Sequence, residues 1–169
     1  MRWARRWATR WATGWGITAV LLATAACGWQ PGGTVAQSPD TCAADAGPTA
    51  QTVADAVAAA PPVGSPWTET GRDHTGDCRL YWVQFAPAGA TAASPELLLF
   101  FDRNTALGSP TDIPRPYTSV VSSGEHVVTV QYQWIVGAEP NCCPTGIGTV
   151  RYQIGADGAL EALDPIPQP

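Results

Sequence analysis

The stretch Glu125–Val136, EHVVTVQYQWIV, decides the fold. Val128, Val130, Tyr132 and Trp134 fall on one parity; Thr129, Gln131 and Gln133 fall on the other. A period of two with one apolar and one polar face is the mark of a half-buried antiparallel strand. Ile147–Ile154 repeats it, with Val150, Tyr152 and Ile154 on the apolar side and Thr149, Arg151 and Gln153 on the polar side. Between them Gly137–Gly146 (GAEPNCCPTG) is dense in turn residues and reads as a hairpin loop. Ala156-Asp157-Gly158 supplies a tight turn into a short last strand, Ala159–Leu163. The proline-rich end Asp164–Pro169 cannot extend a ladder.

Upstream, Cys78–Ala86 (CRLYWVQFA) also has period two, but with apolar residues on both faces, so it predicts a well-covered strand. Glu96–Asp102 (ELLLFFD) is a continuous apolar run bounded by charges and predicts a central strand. Pro87–Pro95 reads as a loop, and Arg103–Pro116, with three prolines, as irregular. Val63–Asp77 reads as a polar connector holding Trp67 and the loop Gly71–Asp77 (GRDHTGD). Before it, Pro48–Ala60 (PTAQTVADAVAAA) predicts a helix: alanine is the best helix former, Val53 and Val57 share a face, and Pro61-Pro62 ends it. The fold class expected is α+β, with one N-terminal helix packed on an antiparallel sheet of about five strands.

The N-terminus carries a targeting pattern. Met1–Gly16 holds Arg2, Arg5, Arg6 and Arg10 and no acid, and the apolar run that follows ends in Ala25-Ala26-Cys27. Ile17–Ala26 is too short for a hydrocarbon core, which takes roughly 20 residues. The pattern predicts a lipoprotein signal peptide over 1–26, with Cys27 as the lipidation site carrying palmitate-type acyl chains. Thr24 stands where an aliphatic residue is usual, and ordinary secretion after Thr24-Ala25-Ala26 is the alternative. Trp3, Trp7, Trp11 and Trp15 recur every four residues and read as n-region bias. Gly28–Asp40 is a flexible tether, giving a tether over 27–40 and a single α+β lipoprotein domain over 41–169. The expected location is outside the cell, lipid-anchored to the outer face of the cell membrane.

The chain holds 9 basic residues, all arginine, against 14 acids. Loss of the four leader arginines makes the body strongly acidic, which argues against nucleic acid as a partner. Beyond Cys27 an even set of cysteines remains, Cys42, Cys78, Cys142 and Cys143, as an oxidising compartment favours. Cys42 with Cys78 and Cys142 with Cys143 is the preferred pairing; two pairings that split the doubled cysteines stay open.

Individual features then resemble the LppP/LprE family of actinobacterial lipoproteins. They are Cys27, a helix followed by Trp67, the strand Cys78–Leu80, Ser94-Pro95 before Glu96–Phe101, Leu107-Gly108, the strand Val128–Tyr132 and the ending Leu163-Asp164-Pro165-Ile166-Pro167. The resemblance covers most of residues 42–169. Asp102, where a histidine often stands, and the doubled Cys142-Cys143 depart from it. It implies a small cell-envelope lipoprotein and no catalytic residues.

His74, between acids in Arg72–Asp77, could be a metal ligand or an oriented base. With His126 the only other histidine, no metal site and no cofactor are expected. The sequence shows no nucleophile elbow, P-loop or dinucleotide fingerprint. Trp67, His74 and Tyr117 are the candidate ligand-facing residues. The function expected is a membrane-anchored envelope lipoprotein, non-catalytic, binding an envelope protein or a cell-wall ligand, or serving as structure. The alternative is an envelope hydrolase or isomerase using the His74 loop.

Overall fold

The computed structural model describes residues 42–168, which fall within one compact unit. The expected signal peptide over 1–26, the expected lipidation at Cys27 and the expected tether over 27–40 lie outside the described residues. Within them the chain forms one short helix and two antiparallel sheets. The helix, α1, spans Ala50–Ala58, and the Thr49 side chain caps it by accepting from the Thr52 N–H at 3.2 Å.

The first sheet contains β1 (Trp67–His74), β2 (Leu80–Pro87), β3 (Pro95–Asp102) and β4 (Thr105–Gly108) in that order, with β5 (Arg115–Pro116) also on β3. The second contains β6 (Thr118–Ser123), β7 (Val128–Trp134), β8 (Gly146–Ile154) and β9 (Leu160–Ala162), again in chain order. The chain changes sheets at Tyr117, whose φ of 56° turns a corner between β5 and β6. That is left-handed backbone, costly for a bulky aromatic residue.

Two expectations are corrected here. The single sheet is two sheets, so the helix covers only part of the apolar surface. Tyr81, Val83 and Phe85 of β2 and Leu97, Leu99 and Phe101 of β3 face Val53 and the helix layer. Leu80, Leu98 and Phe100 face the other way, against Val128, Val130, Tyr132, Val150 and Tyr152 of the second sheet. The first sheet is therefore the middle layer of three, and the unbroken apolar run of β3 follows from burial on both faces. Deep in the second interface the Tyr132 and Tyr152 hydroxyls satisfy each other at 2.8 Å. Burial pushes both phenols above their ordinary range.

The second correction concerns polar segments. The connector read over Val63–Asp77 contains β1, and the irregular stretch Arg103–Pro116 contains β4 and β5. β1 is an edge strand whose side chains stay mostly exposed, so burial never selected an apolar alternation there. It also slips register between Glu69 and Gly71, which breaks its period of two.

Candidate functional site

The structure concentrates its polar chemistry where β1 hands over to β2. Thr75 is fully buried and organises this turn. Its N–H donates to the Leu80 carbonyl at 2.9 Å, its carbonyl accepts from the Cys78 N–H at 2.9 Å, and its hydroxyl donates to Asp77 Oδ1 at 2.6 Å. Cys78 takes φ 56° at the tip. The turn then grips the β6–β7 loop: the Gly76 and Asp77 N–H groups donate to the Gly124 and Glu125 carbonyls at 2.9 and 3.0 Å. A Cβ on Gly76 would stand 2.6 Å from Glu125 Oε2, so a larger residue here would make the Glu125 side chain swing aside.

Asp77 joins both loops. One carboxylate oxygen accepts from Thr75 and from the Arg79 N–H; the other lies 2.7 Å from His126 Nδ1. Burial pushes this carboxyl up, but the bonds from Thr75, His126 and Arg79 outweigh it and hold the group below its ordinary range. His126 itself is two-thirds exposed, with a side-chain relative accessibility of 68%. A carboxylate-oriented imidazole can move protons, but this one sits on open surface and also ties the two sheets together.

His74 ends β1 on the other side of the turn. Its Nδ1 lies 2.9 Å from the Thr75 carbonyl and 3.4 Å from Cys42 Sγ, and its ring tilts against Tyr81 at 5.1 Å. Cys42 is disulfide-bonded to Cys78, which pins residues 42–48 over the end of the first sheet. A Cβ on Gly47 would be 2.7 Å from the Tyr81 ring, so the segment lies tight on that aromatic face. Between it and the strands opens a cleft of about 240 Å³ lined by Cys42, Pro48, Arg72, Asp73, His74 and Trp82, among others.

The other two residues singled out from sequence lie elsewhere. Trp67 begins β1, roughly 23 Å along the strand from His74 at about 3.3 Å per residue, and packs on the helix-side core. Tyr117 is at the sheet-switching corner, and its hydroxyl donates to the Asn141 carbonyl at 2.5 Å. That bond holds the β7–β8 loop, where Cys142 and Cys143 form a disulfide at an exposed tip. Glu139 braces the same loop from the Val136 and Thr145 N–H groups. The structure brings His74 to Cys42 and Cys78, and brings neither Trp67 nor Tyr117 to them. Sequence reasoning missed His126 as the histidine that Asp77 orients; the residues are 49 apart, and only the loop pairing brings them together.

No solved structure matches the chain. A family model described as LppP/LprE lipoprotein matches residues 72–157, from the second half of β1 to the turn before β9. Relatives named lipoprotein LppP, from Mycobacterium bovis and Mycobacterium tuberculosis, are 54% identical over 148 residues, covering 86% of this chain and 85% of theirs. At that identity and coverage, the chain belongs to the LppP/LprE lipoprotein family.

Proposed function

We propose that this protein is a non-catalytic binding module of the cell envelope, exported and held at the outer face of the membrane by acyl chains on Cys27. Membership of a lipoprotein family supports the anchor. The observation that carries the binding reading is the Cys42–Cys78 disulfide, which fixes the N-terminal end of the domain at the rim of the His74 cleft. Cys42 lies fifteen positions after Cys27, a reach of about 50 Å at full extension. On this reading the cleft lies at the tethered end of the domain, and the partners it would meet are those within that reach of the membrane. The charged and aromatic side chains that line it, Arg72, Asp73, His74 and Trp82, support a binding role.

Two measurements test this. Cys27→Ser is expected to move the protein from the membrane fraction to the soluble one; retention by the membrane refutes the anchor. A photo-crosslinking amino acid at Arg72, on the cleft, is expected to capture an envelope component in intact cells. The same group at Gln131, on the polar parity of β7, should capture none. Equal capture at both positions refutes the cleft as the binding face.

A further inference from the structure

The oxidised turn holds three metal donors. The sulfurs of Cys42 and Cys78 and a ring nitrogen of His74 all lie within 4.8 Å of one another. His74 Nδ1 is 3.4 Å from Cys42 Sγ. In a tetrahedral zinc site, bonds of about 2.3 Å to sulfur and about 2.0 Å to nitrogen set those two atoms about 3.5 Å apart. The nitrogen and the sulfur already stand at the spacing that one shared ion would impose. We infer that the Cys42–Cys78 pair, once reduced, is a Cys2His site for a thiophilic divalent ion of the zinc class.

Each donor also has a support other than the disulfide. Cys78 is fixed by the hydrogen bonds of Thr75 and by the grip of Gly76 and Asp77 on residues 124 and 125. His74 is fixed by the β1–β2 ladder and by Tyr81. Cys42 is carried by a segment that lies on Tyr81 at Gly47 and is anchored by the Thr49 N–H to Asn104 Oδ1 at 2.8 Å. The cysteine Cα atoms are 5.6 Å apart, so side-chain rotation alone can open the sulfurs to the roughly 3.8 Å that a tetrahedral ion needs. His74 would ligate through Nδ1 as the tautomer protonated on Nε2, giving up its contact with the Thr75 carbonyl. Cys42 and His74 line the cleft, so the fourth position opens to water there.

The site needs a dithiol reductant. One of its thiolates attacks a sulfur of the disulfide and releases the other cysteine as a thiolate. The reductant's second thiol then closes its own disulfide and frees the first cysteine. Two electrons and two protons pass to Cys42 and Cys78, the reductant is oxidised to its disulfide, and the entering ion displaces the two thiol protons. This site does not depend on the anchoring or the partner proposed above.

The test uses the full chain in detergent, reduced with a phosphine under anaerobic conditions, desalted and titrated with Co2+. The Cys142→Ser/Cys143→Ser double variant is run beside it to remove the vicinal thiols. Both reduced forms are expected to bind one Co2+ with near-ultraviolet thiolate-to-cobalt absorption, and the oxidised chain none. Zn2+ should shield Cys42 and Cys78 from alkylation in the unmutated chain. His74→Ala should weaken cobalt binding at least tenfold, since losing a ligand costs no less than the roughly 10–100-fold of an outer-shell partner. Absence of binding, binding that survives Cys42→Ser, shielding confined to Cys142 and Cys143, or unfolding on reduction would each overturn the inference. If Cys42→Ser does not fold, the alkylation pattern of the unmutated chain decides the matter.

Discussion

The two sheets of this molecule are written in different sequence languages. In β3, neighbours Phe100 and Phe101 are both at 0% exposure, one facing the second sheet and the other the helix. In β7, Val130 is at 0% while its neighbour Gln131 is on the side turned from the core. The first pattern belongs to a sheet covered twice, the second to a sheet covered once. A strand's two parities thus report how many layers lie against it. That information was present in the sequence as the contrast between ELLLFFD and VTVQYQW.

The sharpest test of that contrast is truncation at adjacent positions. Phe100→Ala and Phe101→Ala are each expected to destabilise by about 3–5 kcal/mol in chemical denaturation. Val130→Ala should cost about 2 kcal/mol, while Gln131→Ala should stay within about 0.5 kcal/mol. A Phe101→Ala cost as small as that of Gln131→Ala would mean that the helix layer adds no stability to the first sheet.

The disulfides extend the comparison. Cys42–Cys78 spans 36 residues and binds the layer over the first sheet; Cys142–Cys143 joins neighbours at the hairpin tip of the second. Closing a loop of the first length restricts the unfolded chain by about 3–4 kcal/mol, whereas bonding adjacent residues restricts it hardly at all. Replacing Cys42 and Cys78 together by serine should therefore lower the denaturation midpoint strongly. The Cys142→Ser/Cys143→Ser chain should unfold within about 0.5 kcal/mol of the parent. Equal losses would show that the exposed tip contributes to the core.

What the sequence hid follows the same division. The strands with a buried parity, β2, β3, β7 and β8, were legible because burial imposes apolar residues at fixed intervals. β1, β4, β5 and β6 were not, since an edge strand or a two-residue pairing leaves little apolar pattern. The existence of two sheets was also hidden. It depends on a corner at Tyr117, whose φ of 56° no residue-type preference would place there. At the candidate site, His74 was visible as a histidine among acids. Its sulfur neighbour Cys42 lies 32 residues away, so the cluster exists only once the disulfide and the β1–β2 turn are both formed.

The smallest expected effects come from two carboxylates at the junction of the sheets, and they run in opposite directions with pH. Asp77 sits below its ordinary range, because its bonds to Thr75, His126 and Arg79 outweigh burial. Its contribution is complete above the unfolded-state value near 3.9 and is lost as pH falls through the depressed native value. Glu96 is the reverse case. Burial holds its carboxyl above the ordinary range against the bond donated by Gln84 Nε2 at 2.6 Å, and that same amide also donates to the Thr118 carbonyl on the second sheet. Its ionised form is the disfavoured one, so its cost is full above the raised native value and disappears as pH falls below the unfolded-state value near 4.3. Asp77→Asn should lower stability at neutral pH by about 1 kcal/mol and flatten the acid loss. Glu96→Gln keeps an acceptor for Gln84 and removes the charge, so it should be neutral or slightly stabilising at pH 7 and lose that advantage near pH 4. Denaturation midpoints of both variants between pH 3 and 7 read the two slopes directly. A Glu96→Gln chain that is less stable than the parent at pH 7 would mean that the carboxylate charge is itself part of what joins the two sheets.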